Sequence, residues 1–238
     1  MCNQLNTKYN KPDYRGKIIM LSESQKQVIR NKFAVLAGEV ELIVFTQEHE
    51  CPLCRENREL VLELGTLSPK IKTKVYDFVI NGDQDIKYKI NKIPAIAIVG
   101  KSDYGIRYYG MPAGYEFAVI VDDIIDVSRG ATSLPDNIKQ KLSEIKKPVH
   151  IQVFVTPTCP FCPRAARLAH QFAIENEFIR SDVVEMTEFL YLVQKYNIMS
   201  TPHVVINENT SFVGAQPPEV FIEQIFMALR SGYNPMYS

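Results

Sequence analysis

Some segments of this chain have the apolar pattern of a strand and others that of a helix. These segments follow one another in an order that occurs twice. Residues 40–46 and 149–155 are rich in β-branched and aromatic side chains, which predicts two strands. Each strand leads within a few residues to a Cys-Pro-x-Cys motif, and an apolar stripe with helical spacing follows each motif. After the second motif this stripe consists of Ala165, Leu168, Ala169, Phe172 and Ala173.

The remaining elements are predicted in the same order in both halves. Strands are expected near 72–80 and 178–184, and two later strands begin at Pro94 and Pro202. Each half also has a leading helix. Ser22 and Gln25 form a capping-box pattern before the first of these helices, and the second is predicted over 135–146. Strands that alternate with helices indicate an α/β fold.

Three landmarks repeat at one offset. Cys51 and Cys159 are 108 residues apart (159 − 51), and Pro94 and Pro202 are separated equally (202 − 94), as are the second cysteines of the two motifs. Such a period indicates two copies of one structural unit. We therefore predict a polar tail over residues 1–20, a first unit over 21–130 and a second unit over 131–238. The first unit is expected to have the longer hairpin turn, between Gly100 and Gly105.

Composition and charge narrow the functional classes. Hydrophobic residues make up 46% and charged residues 23% of the 238 residues, which is ordinary for a globular protein. Basic and acidic residues number 27 each, so the formal net charge is zero and a nucleic-acid partner is not expected. The longest apolar runs are too short for a membrane-spanning helix. The first twenty residues have no apolar signal region, so a cytoplasmic location is expected.

Four of the five cysteines form the two Cys-x-x-Cys pairs, Cys51 with Cys54 and Cys159 with Cys162. A cysteine between a strand and a following helix lies near free backbone N–H groups, which favour a thiolate. We expect Cys51 and Cys159 to attack a partner's disulfide. Cys54 and Cys162, one turn further on, would then resolve the mixed disulfide. The fifth cysteine, Cys2, is expected to be a free thiol on the tail.

The two matched prolines predict a second feature of each site. Ile93-Pro94 and Thr201-Pro202 both place the proline 43 residues after the first cysteine (94 − 51 and 202 − 159) and at the head of a strand. This arrangement predicts a cis peptide bond that faces the cysteines. The backbone of Ile93 and Thr201 would then be free to pair with an extended substrate.

Together, the strand, the Cys-Pro-x-Cys motif, the helix and the later x-Pro resemble the thioredoxin superfamily. Cys-Pro-Phe-Cys at 159–162 is similar to the Cys-Pro-Tyr-Cys of glutaredoxins. Two such units in tandem resemble the protein disulfide oxidoreductases of hyperthermophilic archaea and bacteria. The stretches 108–117, 155–163 and 212–218 match that family further. Cys-Pro-Leu-Cys at 51–54 and the tail with Cys2 depart from its pattern.

The resemblance implies two tandem thioredoxin-like units, each with a central mixed four-stranded sheet flanked by helices and an extra leading helix. It implies reduction, oxidation and isomerisation of protein disulfides, with redox-active disulfides in place of any other cofactor or metal. The implied partners are protein disulfide or dithiol substrates and a thioredoxin-reductase-like flavoenzyme, with peroxiredoxins as a further candidate. Neither nucleic acid nor membrane is implied as a partner.

Two other interpretations of the four cysteines stay open from the sequence. The chain could be a dedicated carrier that passes electrons from such a flavoenzyme to one peroxiredoxin. It could instead be a non-enzymatic zinc protein, because Cys-x-x-Cys pairs also supply the four ligands of structural zinc sites. His49, beside the first pair, is expected to be a solvated loop residue, with electrostatic tuning of Cys51 as the alternative.

The residues around the two cysteine pairs differ in charge. Carboxylates crowd the first pair, whereas hydroxyls and an arginine surround the second. The two sets are Glu48, Glu50 and Glu56 at the first pair, and Thr156, Thr158 and Arg164 at the second. Nearby carboxylates disfavour a thiolate. We therefore expect the pKa of Cys159 to be lower than that of Cys51, which would make the second site the more oxidising.

Overall fold

The strands of both halves join into one mixed sheet of eight strands. A computed structural model describes residues 21–230, and its strands occur in the order β2-β1-β3-β4-β6-β5-β7-β8. Each half therefore supplies four neighbouring strands. Their bounds are β1 Val40–Thr46, β2 Ile71–Asp77, β3 Ala95–Val99, β4 Ile106–Tyr109, β5 Val149–Val155, β6 Ile179–Glu185, β7 His203–Ile206 and β8 Thr210–Val213.

Eight α-helices cover the two faces of this sheet within the described residues. They are α1 Glu23–Phe33, α2 Cys54–Gly65, α3 Gly82–Tyr88, α4 Phe117–Arg129, α5 Asp136–Ser143, α6 Cys162–Glu175, α7 Leu190–Lys195 and α8 Pro218–Arg230. Helices α3 and α7 pack on one face, and the other six helices pack on the opposite face. Successive strand residues point to opposite faces, so Val44 joins the larger core and Phe45 the smaller one.

Most of the predicted elements are confirmed, and two differ in length. The strands over 40–46 and 149–155 have the predicted bounds. The strand predicted near 72–80 ends at Asp77, because the Asp77 carboxylate accepts hydrogen bonds from the N–H groups of Val79 (2.9 Å) and Ile80 (3.1 Å) and closes a turn. The helix predicted over 135–146 is shorter, at Asp136–Ser143.

The local turn and cap patterns are also confirmed. Ser22 and Gln25 form both hydrogen bonds of a capping box at the start of α1. The hairpin between β3 and β4 is longer than that between β7 and β8, as the slip in the repeat predicts. None of the helices in residues 21–230 is long and apolar enough to cross a membrane.

A parallel strand pair joins the two halves. Ile106 to Tyr109 of β4 pair in register with Ser181 to Val184 of β6. On the larger face, α4 lies beside α6, where Arg167 forms ion pairs with Asp123 and Asp126. The division into units at 21–130 and 131–238 stays a prediction, because sheet and core continue through this junction. The predicted tail with Cys2 lies outside the described residues.

One close backbone approach at the junction can be tested with glycine substitutions. Gly114 has a φ of +60°, and a Cβ there would overlap the carbonyl oxygen of Pro157. We expect Gly114→Ala to lower the free energy of unfolding by about 2 kcal/mol or more, from left-handed backbone and overlap together. Urea denaturation of the oxidised protein measures this change.

Gly82→Ala is the matched control, because nothing lies within 4 Å of a Cβ at Gly82. Its free energy of unfolding should stay the same or rise by less than about 1 kcal/mol. Equal losses in the two variants would contradict a close contact between residue 114 and the Pro157 loop.

Candidate active site

Each cysteine pair closes a disulfide at the C-terminal end of a strand. Cys51 and Cys54 follow β1, with 5.4 Å between their Cα atoms, and Cys159 and Cys162 follow β5, with 5.5 Å. Both distances lie in the usual range for a disulfide. The structure therefore brings together the two cysteines of each pair that the sequence predicts.

The helix of each site begins at the second cysteine rather than at the first. Cys54 and Cys162 are the first residues of α2 and α6, and both are fully buried. Cys51 is half-buried in the preceding turn, and Cys159 is 8% exposed. The first cysteine of each pair is thus the one a partner can reach. Pro163 lies in the first turn of α6, where a missing N–H costs little.

The two attacking sulfurs differ in their hydrogen bonds. The backbone N–H of Cys162 points at Cys159 Sγ, with 3.1 Å between nitrogen and sulfur. At the first site the N–H of Cys54 instead donates to the carbonyl oxygen of Cys51, at 3.3 Å. Within residues 21–230 no hydrogen-bond donor to Cys51 Sγ is found. A helix N–H directed at the sulfur stabilises a thiolate, so this difference favours Cys159.

An arginine partly neutralises the carboxylates around the first site. Arg58, one turn into α2, forms an ion pair with Glu48 at 2.7 Å, so the Glu48 carboxylate has a cationic partner that the sequence pattern did not reveal. Glu50 is exposed, and one carboxylate oxygen of Glu56 is buried without a hydrogen-bond partner in the described part of the chain. His49 is exposed on the loop, as expected.

The prolines are placed as the repeat predicts. Ile93-Pro94 and Thr201-Pro202 are both cis, at the heads of β3 and β7. The carbonyl oxygens of Pro94 and Pro202 accept 2.8 Å hydrogen bonds from the N–H groups of Gly110 and Gly214, the same contact in both halves. At the second site, 3.4 Å separate the hydroxyl oxygens of Thr201 and Thr156, which brings the cis-proline loop beside the turn before Cys159.

Both sites open on the same edge of the sheet. Strand β3 is antiparallel to both of its neighbours, β1 and β4, so β1 and β4 run in the same direction. Strands β4, β6 and β5 are parallel to one another, so β1 and β5 end at one edge. Four strand spacings separate them, which is roughly 19 Å at about 4.8 Å per spacing. Zinc–sulfur bonds are about 2.3 Å long, so the four cysteines are too far apart to share one zinc ion.

A fully buried carboxyl group lies behind the second site. Glu116 precedes α4, and neither of its carboxylate oxygens has a hydrogen-bond partner among residues 21–230. Helices α4 and α6 run in the same direction: the N–H of Tyr115 donates to Pro157, Asp123 pairs with His170 at 2.6 Å, and the N–H of Thr132 donates to Glu175. This register puts Glu116 beside the start of α6, where Cys162 lies.

Burial determines the protonation of this region. Burial, together with the Asp123 and Glu185 carboxylates, raises the pKa of Glu116 to about 8. Burial also raises the pKa of Glu188 to about 7, although the Met111 N–H donates to its carboxylate at 2.6 Å. A buried carboxyl with a raised pKa beside the start of α6 is suited to exchange a proton with a nearby thiol during disulfide exchange.

The pKa of Asp123 is shifted in the opposite direction to that of Glu116. Burial alone would raise its pKa, but His170 and Arg167 hold the pKa of Asp123 below its ordinary value. These two neighbours on α6 therefore keep Asp123 ionised, while Glu116, seven residues earlier, has no cation against it among the described residues. The difference between the two carboxyls comes from their partners, because both side chains are fully buried.

Sequence reasoning missed these buried acids. Glu116 lies within the stretch 108–117 that carries part of the family resemblance, and it stands between Tyr115 and Phe117. A charged residue between two aromatic residues was the available signal. Glu185 and Glu188 gave no such signal, since both lie where a strand ends and where acidic residues are ordinary.

Comparisons with known proteins agree with this geometry. A family model described as a thioredoxin domain matches residues 149–227. The solved structure of a protein disulfide oxidoreductase from Aeropyrum pernix is 31% identical, with a TM-score of 0.84 over 91% of this chain and 97% of that chain. An N-terminal domain of the alkyl hydroperoxide reductase AhpF from Enterococcus faecalis is 24% identical, covering 87% of this chain and 100% of that chain, and its TM-score of 0.80 shows the same fold.

Curated relatives are longer than this chain. The alkyl hydroperoxide reductase AhpF from Staphylococcus aureus (strain Mu50) is 22% identical over 189 residues, which are 79% of this chain and 34% of that protein. The chain thus spans about a third of the length of the curated relatives it matches.

The fold and the two disulfides at helix starts define a thioredoxin-fold protein with two dithiol–disulfide sites. Within that class, the match to the Aeropyrum pernix structure over nearly the full length of both chains shows the family. The chain belongs to the protein disulfide oxidoreductases.

The difference between the two attacking cysteines can be tested by alkylation. We expect Cys159 to react with iodoacetamide about tenfold faster than Cys51 at pH 7, since one unit of pKa changes the thiolate fraction by about that factor. Rates are measured on reduced Cys51→Ser and Cys159→Ser proteins, both in a Cys2→Ser background. Equal rates in the two variants would refute the predicted order of the pKa values.

Glu116 should make stability depend on pH. Its pKa is higher in the folded protein, about 8, than the ordinary 4.5, so its stabilising contribution is complete below about pH 4.5 and is lost as pH rises toward 8. Between pH 5 and 8 we expect Glu116→Gln to reduce the pH slope of the unfolding free energy by about 1 kcal/mol per pH unit.

Urea denaturation at pH 5, 6.5 and 8 measures this slope in the oxidised protein. Glu144→Gln is the matched control, because Glu144 is exposed at the end of α5, and its slope should equal that of the wild type. A wild-type slope retained in Glu116→Gln would mean that Glu116 is ionised in the folded protein at neutral pH.

Proposed function

We propose that this chain is an enzyme of thiol–disulfide exchange that reduces, oxidises and isomerises protein disulfides. The observation that carries the proposal is the pairing of a reachable cysteine with a buried one at a helix start, found twice in the same chain. Membership of the protein disulfide oxidoreductases supports the same activity. The proposed catalytic residues are Cys51, Cys54, Cys159 and Cys162.

The proposed reduction proceeds in two exchanges. The thiolate of Cys51 or Cys159 attacks one sulfur of a substrate disulfide, and the other substrate sulfur leaves as a thiolate. The thiolate of Cys54 or Cys162 then attacks the attacking cysteine's sulfur, which releases the second substrate thiolate and closes the site's own disulfide. Substrate oxidation is the reverse sequence. At the second site, the ionised fraction of Glu116, which grows as pH rises toward its pKa of about 8, accepts the proton that Cys162 loses.

We propose that the cis-proline loops hold the substrate. The backbone of Ile93 and Thr201, ahead of Pro94 and Pro202, would pair with an extended substrate segment, in the way that a strand adds to a sheet edge. The contact between Thr201 and the turn before Cys159 supports this placement at the second site.

We propose that the units 21–130 and 131–238 each hold one site, that the disulfides serve without another cofactor or metal, and that the protein works in the cytoplasm. A thioredoxin-reductase-like flavoenzyme would return both disulfides to dithiols, since each turnover of substrate reduction consumes two electrons.

A dedicated electron carrier is the second candidate function. It is favoured by the similarity to the alkyl hydroperoxide reductase AhpF, because the matched regions cover most of this chain. Such a carrier would serve one peroxiredoxin rather than many protein disulfides. Comparing reduction rates for several unrelated oxidised proteins and one peroxiredoxin separates the two candidates.

The activity itself is tested by insulin reduction with dithiothreitol. We expect the Cys51→Ser/Cys159→Ser protein to be inactive, and Cys159→Ser to lose more activity than Cys51→Ser, because Cys159 has the N–H donor that favours its thiolate. Cys2→Ser is the control and should keep the wild-type rate. Full activity in the protein without both attacking cysteines would refute the proposed function.

A further inference from the structure

The chain segments between the two sites have no exposed charged residue within the described part of the chain. Three segments reach the sheet edge between β1 and β5: residues 90–94, which precede β3, residues 110–116, which follow β4, and residues 185–191, which follow β6. We call these three segments the bridging strip. Its exposed residues are all uncharged, and they are Asn91, Gly114, Tyr115, Thr187, Leu190 and Tyr191.

The carboxylates of the bridging strip are turned away from solvent. Glu116 and Glu185 are buried, and Glu188 is half-buried with its carboxylate on the Met111 N–H. Three large side chains face solvent instead: Tyr115 is 56% exposed, Leu190 is 61% exposed and Tyr191 is 58% exposed. Exposed apolar groups gathered between two functional sites indicate an interaction surface.

Apolar side chains continue the surface beyond both sites. Val79 and Ile80 are exposed after β2, outside the first site, and Phe161 and Met199 are exposed around the second. Exposed apolar groups thus lie on both sides of the bridging strip, and the exposed Glu48 and Glu50 interrupt them only at the first site. An occupant that uses all of them must be long and must carry apolar side chains.

The sheet's geometry selects an extended chain as that occupant. Neighbouring strands rotate by about 20–25°, so the strand direction turns by roughly 80–100° over the four spacings between β1 and β5 and the strand ends follow a twisted path. A flat, rigid partner cannot follow such a turn, but an unfolded segment can. An extended chain advances about 3.3 Å per residue, so about six residues span the roughly 19 Å between sites and a curved path needs a few more.

We propose that the bridging strip binds one extended, unfolded polypeptide that carries two cysteines, so that both sites engage the same chain at once. The proposal rests on the thiol–disulfide exchange proposed above. Each of the two substrate cysteines begins in a disulfide of its own, to another cysteine or to a small thiol. The thiolates of Cys51 and Cys159 attack one such disulfide each, so two disulfides are exchanged for two mixed disulfides and two displaced thiolates leave. The first attachment raises the local concentration of the second substrate disulfide at the other site.

The test traps both mixed disulfides on one peptide. The protein carries Cys2→Ser, Cys54→Ser and Cys162→Ser, so that neither site can resolve. An apolar peptide carries two cysteines ten residues apart, each blocked as a mixed disulfide with thionitrobenzoate. Each attack releases one thionitrobenzoate, which is followed by its absorbance.

With ten residues between the cysteines, we expect the second release to be independent of protein concentration and to end in a one-to-one complex that holds both sites. The effective concentration should exceed about 1 mM, as for a short flexible tether. With two residues between the cysteines, the peptide is too short to span the sites. Its second release should depend on protein concentration and yield two proteins on one peptide, which mass spectrometry identifies.

The strip itself is tested by Tyr115→Ser, Leu190→Ser and Tyr191→Ser combined. The reference is a peptide with a single cysteine blocked by thionitrobenzoate. We expect the rate of the second release, divided by the rate at which this one-cysteine peptide reacts, to fall about fivefold or more. Val28→Ser is the matched control, because Val28 is 59% exposed on α1, away from the edge, and its ratio should equal that of the unsubstituted strip.

Failure of the proposed function and failure of the strip give different results. If the one-cysteine peptide reacts at neither site, thiol–disulfide exchange itself is refuted. If that peptide reacts at both sites but the ten-residue peptide never gives the one-to-one double attachment, the bridging proposal is overturned and the exchange activity stands. An unchanged ratio in the triple strip variant would likewise overturn the role of the strip.

Discussion

The parallel pairing of β4 with β6 is the constraint on which the rest of the structure depends. It joins two four-stranded sheets with the same strand direction and the same faces, so each half repeats the other along one sheet. Both cysteine pairs therefore open on one edge, and helices α2 and α6 lie on one face. An antiparallel pairing at this junction would have put the two sites on opposite edges.

The same junction makes the two sites unequal. The segment after β4 belongs to the first half, yet it packs against the turn before Cys159 and carries Glu116 to the start of α6. The second site thus has an uncharged acid behind it and an N–H aimed at its outer sulfur. The first site has surface carboxylates and an Arg58–Glu48 pair instead. The two Cys-Pro-x-Cys motifs differ in their surroundings because the segment after β4, from the first half, packs against the second motif.

Several parts of the fold and site follow from residues close together in the chain. The strand bounds at 40–46 and 149–155, the capping box at Ser22 and the cis prolines were all predictable, because β-branched runs, caps and repeated x-Pro positions act locally. The sequence pattern predicted the end of an element less well where a side-chain hydrogen bond ended it. The Asp77 carboxylate stops β2 three residues early by a contact that strand propensity does not contain.

The sequence by itself determined the repeat, the α/β order and the identity of the four cysteines, since these depend on spacing and residue type. Only the tertiary structure decided which sheet edge the sites share, which acids are buried and which exposed groups lie between the sites. The cause is physical: burial and strand neighbours are set by contacts between residues far apart in the chain. The pKa of Glu116 differs from that of an exposed glutamate only because other segments cover it.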